Sequence, residues 1–117
     1  MRSTGCSTKR RLPAGRLTPA ESEDLRLADL LARGIRREDG AEAYLVAEVS
    51  GLVELDDVTR AARRAELLAR ATGRPVVAAV AGERIAPDLD RIARESGVWR
   101  VLDGVALPPG VDLPPAS

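Results

Sequence analysis

One stretch limits this chain more than any other: an Asp39-Gly40 pair set between two apolar arms, Leu25–Arg33 and Ala43–Ser50. Asp-Gly between apolar runs is the strongest short-range signal for a β-hairpin. With Asp39 and Gly40 as the central turn residues, Asp29 falls opposite Ser50 and Leu31 opposite Glu48. A four-residue loop over Glu38–Ala41 keeps that pairing, whereas an odd-length loop or a bulge at Gly34 would break it. Opposed residues of an antiparallel pair share a face, and faces alternate along each strand. Asp29, Glu48 and Ser50 therefore share one face, with Glu48 the diagonal neighbour of Asp29, roughly 7–8 Å away at the backbone.

Both faces of this hairpin are otherwise apolar. Ala28, Leu30, Leu45, Ala47 and Val49 lie on one side, and Leu27, Leu31, Tyr44 and Val46 surround the acids on the other. Two neighbouring carboxylates in such a setting are costly to bury and repel each other. Solvent at a strand end, an Arg such as Arg33, a proton or a divalent cation must compensate. A Mg²⁺ ion suits such a pair, because it needs only one or two protein carboxylates when water and substrate phosphates complete its shell. A bound Mg²⁺ polarises a phosphoryl oxygen and lowers the pKa of an attacking water.

What the chain lacks narrows the chemistry further. Among its 117 residues there is no His, which removes the Ser-His-Asp triad, the Cys-His pair and any His metal site. The lone Cys6 can form neither an internal disulfide nor a Cys-based zinc site. Eighteen bases balance eighteen acids, so no global field draws in nucleic acid or membrane. No apolar run approaches the ~20 residues of a membrane span, and the N-terminus lacks the apolar core of a secretory signal. The reading is a cytoplasmic protein whose acid–base or metal chemistry, if any, rests on carboxylates.

In chain order, residues 1–20 read as a disordered basic arm containing Lys9-Arg10-Arg11. Thr18 and Glu21 have the spacing of a capping box with Pro19 at the first helical position, which predicts a helical turn before Leu25. After the hairpin, Gly51–Leu55 is a connector. Asp56 or Asp57 then caps a helix that runs to about Thr72 and ends at Gly73. Its inward stripe is Val58, Ala61, Ala62, Ala65, Leu68 and Ala69, and Arg60, Arg63, Arg64, Glu66 and Arg70 form the solvated face. Val76–Ala81 is a strand buried on both faces. A second helix runs from Pro87 to about Ser96, and Val98–Leu102 is a last strand that contains Trp99 and stops at Asp103-Gly104. Residues 105–117, with four prolines, read as an irregular tail. The fold class is α/β: an antiparallel hairpin feeding two βαβ crossovers in a mixed sheet, as one domain over residues 21–104. Glu54, Asp56 and Asp57 read as caps, Glu83 as a loop acid, Tyr44 as packing, and Trp99 as core or interface.

An Asp on one hairpin strand and Glu-x-Lys on the next, followed by a helix and a parallel strand, form the core of the PD-(D/E)XK superfamily of restriction-endonuclease-like phosphodiesterases. Ala28-Asp29 and Glu48-Val49-Ser50 match these two elements. The wider text "ADLLARGIRREDGAEAYLVAEVS", "DDVTRAARRAELLARATGRPVVAAVAGE" and "GVWRVLDG" resembles an uncharacterised, mainly prokaryotic group of that superfamily, often preceded by a coiled coil. The resemblance covers roughly residues 24–104. It implies that Asp29 and Glu48 are metal ligands together with the Val49 carbonyl, that the metal is Mg²⁺, and that the substrate is nucleic acid.

Two features depart from the superfamily pattern. Ser50 stands where a Lys orients the nucleophilic water, and serine supplies no charge for the transition state. Arg60 or Arg63 on the following helix is the candidate substitute. The helix and strand that usually precede the Asp-bearing strand scarcely fit before residue 21. These departures set a degenerate Mg²⁺-dependent nuclease against a non-catalytic protein- or DNA-interaction module that retains the fold. An incomplete sheet edge also leaves room for a homodimer or a partner chain.

Overall fold

The computed structural model describes residues 17–113. Cys6 and the Lys9-Arg10-Arg11 cluster lie outside them. The first element is helix α1, Pro19–Arg26, opened by the expected capping box: Glu21 N–H donates to the Thr18 hydroxyl and Thr18 N–H to the Glu21 carboxylate. Leu25 therefore belongs to a helix and not to the first hairpin arm. That arm, β1, is Leu30–Ile35, and it pairs antiparallel with β2, Glu42–Val49.

The register differs from the expected one by two residues. Leu30 faces Ala47 and Ile35 faces Glu42, so the connection spans Arg37–Gly40. The Arg36 guanidinium grips the Asp39 carboxylate, and Gly40 N–H donates to the Arg36 carbonyl at 2.8 Å. Gly40 alone takes the left-handed conformation here (φ 70°), where a two-residue type I′ turn would need it at Asp39 as well. Because the shift is even, the side chains of β1 and β2 keep their expected faces, whereas Ala28, just before β1, turns to the side of Leu31 and Val46.

A two-residue strand β3 (Leu52–Val53) leads into helix α2, Leu55–Thr72. Its N-cap is Glu54, whose N–H donates to Asp57 at 2.8 Å, so Asp57 serves the cap from the third helical position. Gly73 ends the helix in the left-handed region (φ 67°), as its position after the last apolar residue foretold. Strand β4 (Val76–Gly82), a short β5 (Arg84–Ile85), helix α3 (Pro87–Glu95) and strand β6 (Val98–Leu102) follow. The segment read as an irregular tail instead opens with β7, Val105–Leu107, antiparallel to β6. Asp103 and Gly104 both have positive φ (50° and 83°), which is the two-residue turn that matches strand twist.

The result is an α/β domain with a mixed sheet in the order β1-β2-β4-β6-β7, while β3 pairs with β5 beside it. β2, β4 and β6 are parallel and advance across the sheet without reversing. Crossovers of one hand that advance in one direction put their helices on one face. Val58, Ala61 and Ala65 of α2 and Ala93 of α3 indeed share a cluster with Ala78, Val80 and Val98 of the sheet. Leu25 of α1 joins Leu31, Val46, Leu67 and Leu68 on that same side. On the opposite face, no described helix covers Leu45, Ala47, Val77, Ala79, Trp99 and Val101.

Arg100 of β6 points to the helical side and is fully buried. It donates to Asp90 of α3 and to the carbonyls of Leu107, Pro108 and Val111, tying the segment after β7 to the domain.

Candidate functional site

Glu48, at the C-terminal end of β2, is the hairpin acid that meets α2. Glu48 is 2% exposed, and its side chain lies on the helical face of the sheet. Arg64, 5% exposed, sets Nη1 at 3.0 Å from both Glu48 oxygens. The other side of the same guanidinium donates to Asp24 of α1, Nη2 at 3.0 Å and Nε at 3.3 Å. Burial works against the Arg64 charge, but the hydrogen bonds it donates to Glu48 and Asp24, together with their charges, outweigh it and raise its pKa. Arg64 was expected on the solvated face of α2. It is instead the buried link between α1, β2 and α2.

A second arginine, one turn earlier, extends the network. Arg60 donates to Asp57 at 2.7 Å and lies 3.4 Å from Glu48. Asp57 also accepts from the Ser50 hydroxyl at 2.9 Å and from Glu54 N–H. Ser50 thus spends its hydroxyl on the start of α2. Arg63, the other candidate, is exposed and reaches Asp24 at 3.1 Å rather than Glu48.

Asp29 behaves differently. Arg36 N–H donates to the Ala41 carbonyl at a bonded position of the β1–β2 ladder, so every second pair from there, including Leu30 with Ala47, falls at a bonded position. The next such position would join Ala28 to Val49. The chain bends at Asp29, however, and Ala28 turns into the cluster around Leu25. The Asp29 carboxylate takes over as acceptor for Val49 N–H at 2.8 Å. The corrected register places Asp29 directly across from Glu48, but its side chain lies along the end of the ladder. The Val49 side chain points to the uncovered face and is exposed.

The structure therefore gathers Glu48, Ser50 and Arg60 around Asp57 and Arg64, with Asp29 at the rim and Arg63 outside. Asp24, Asp57 and Arg64 are the members that pattern reading missed. Arg64 stands four residues after Arg60, the spacing of one helix face, and that was the available signal. Among the described residues, no three metal-binding side chains come close enough to hold an ion. None of the described helices is long and apolar enough to cross a membrane. No protein-family model matches this chain, and neither a curated protein nor a solved structure matches it.

Proposed function

We propose that the domain is a non-catalytic protein-interaction module on a restriction-endonuclease-like frame, a degenerate relative of Mg²⁺-dependent nucleases in which arginine has replaced the metal. The observation that carries this reading is the Arg64 guanidinium on both oxygens of Glu48. Mg²⁺ demands near-ideal octahedral oxygen ligands at about 2.0–2.1 Å. Glu48 could supply one only by releasing Arg64, and a guanidinium that cannot lose its proton would then lie buried with half its partners gone. Asp29 is committed to a backbone N–H, and Ser50 carries no charge to offset a pentavalent phosphate. The residues present do not fit the metal that the resemblance implies.

Protein is favoured over nucleic acid as the partner because, among the described residues, most arginines are paired within the chain. Arg60, Arg63, Arg64, Arg74, Arg94 and Arg100 all form ion pairs with its own acids. The zero formal net charge leaves little counterion release to drive phosphate binding. Calorimetric titration with Mg²⁺ and Mn²⁺, alongside cleavage assays on DNA and RNA, tests the reading. The expected result is no millimolar-range binding and no hydrolysis. Ion binding lost in Glu48→Ala, or cleavage abolished by it, would overturn the reading.

A further inference from the structure

The face of the sheet away from the helices carries no charged side chain at its centre. Leu45, Val77, Trp99 and Val101, each half-buried, lie there around Ala79, which their side chains leave only 4% exposed. The chain's single Trp is on this half-buried surface rather than in the core. Trp is the residue most enriched where interfaces draw their energy. The face also has relief. At the end bearing the β1–β2 loop, small residues Ala32, Gly34 and Ala43 leave a mainly apolar trough of about 400 Å³ walled by Leu45, Val77 and Trp99, with Arg33 and Arg36 also lining it. At the opposite end, Leu30 and Val49 stand out as a ridge, 39% and 57% exposed.

We infer that this face is the interface of a homodimer in which two sheets pack against each other. A two-fold axis lying in the interface across the strands exchanges the two ends of the sheet. It lowers the Leu30–Val49 ridge of each copy into the trough of the other. Self-pairing requires a face that meets its own image without conflict. A centre free of charge satisfies this, and a net charge of zero removes repulsion between the copies. Five strands about 4.8 Å apart and about six residues long present roughly 500 Å² in projection. Counted on both copies, that is about 1,000 Å², the size at which a specific interface separates from a fortuitous contact. Sheets stacked this way sit about 10 Å apart with strands within about 30° of each other, which the natural twist allows. Residues 1–16, with three bases in succession and few apolar side chains, are a poor alternative cover. This interface does not depend on whether the acid cluster is catalytic.

Sedimentation equilibrium on the full chain, from about 1 to 100 µM, tests the inference together with Trp99 emission over the same range. The expected mass is twice 12.4 kDa at the upper end, with emission moving to the blue as the dimer forms. Leu30→Lys and Val49→Lys change side chains that are exposed in the single copy, so each variant should retain its far-UV circular dichroism. Each lysine enters the interface twice and should weaken association by about 100-fold or more. A 12.4 kDa species throughout overturns the inference, whether the face is then bare or covered by residues 1–16. A dimer indifferent to both substitutions also overturns it, by placing the contact elsewhere.

Discussion

Replacing Arg64 by Met removes the guanidinium that joins Glu48 to Asp24 while keeping an unbranched chain of similar length in α2. Glu48 would stay at about its present burial with only Arg60, at 3.4 Å, to answer its charge. Breaking a buried ion pair by deleting one partner costs about 3–5 kcal/mol, because the survivor is left charged and dry. The remaining contact with half-exposed Arg60 places this case at the low end, about 3 kcal/mol. That is a large share of the roughly 5–15 kcal/mol that holds a domain folded. At about 4 °C per kcal/mol, it lowers the melting temperature by about 12 °C. Glu48→Met should cost a similar amount, since it strands Arg64 on Asp24 alone. The double variant Arg64→Met/Glu48→Met should lose clearly less than the sum of the two singles, because apolar residues replace the buried Arg64–Glu48 pair at little net cost. What remains is the loss of Arg64 from Asp24, which keeps Arg63. Urea unfolding followed by circular dichroism, at concentrations below the association range, supplies the four stabilities of the cycle. A single Arg64→Met loss under about 1 kcal/mol would refute the buried ion pair. A double variant as unstable as the sum of the singles would show that the two residues act independently.

Arg100→Leu should destabilise the domain by about 4 kcal/mol in urea unfolding, since it leaves buried Asp90 unpaired and the carbonyls of Leu107, Pro108 and Val111 without their donor. Limited proteolysis should then cut after β7 before the core opens. Asp39 should titrate with a folded-state pKa of about 2, below its ordinary 3.8, held down first by the Arg36 guanidinium and then by Ala41 N–H. A depressed carboxylate contributes stability that is fully present above pH 4 and is lost as pH falls through about 2. Carboxyl ¹³C NMR should show that midpoint in the natural chain and a return toward 3.8 in Arg36→Gln.

The two faces of the sheet solve opposite problems. On the helical face, acids at the end of β2 would be costly against Leu and Val, and α2 answers them with Arg60 and Arg64 at successive turns. On the other face there is nothing to neutralise, because alternation along β2 and β4 delivers only Leu, Ala and Val. One-directional crossovers put none of the described helices on that face. Covering it therefore falls to something other than the described elements.

Two Asp-Gly pairs show why the sequence was legible only in part. At Asp103-Gly104 both residues enter the left-handed region, and the two-residue turn forms that such a pair favours. The apolar Val-Ala-Leu behind it was the signal for β7, masked by the prolines that follow. At Asp39-Gly40 the same dipeptide closes a longer loop, because Arg36 three residues earlier captures the Asp39 side chain and holds its backbone out of that region. Local propensity gave way to one ion pair. The error was even-numbered, so the face of Glu48 survived it, and α2, β4 and β6, defined by strong periodicity and Gly stops, were legible throughout. The role of Arg64 was not, because a helical wheel marks an arginine as solvated unless its partners are known. Those partners, Asp24 and Glu48, lie 40 and 16 positions away, and only the packing of α1 and β2 against α2 brings them together.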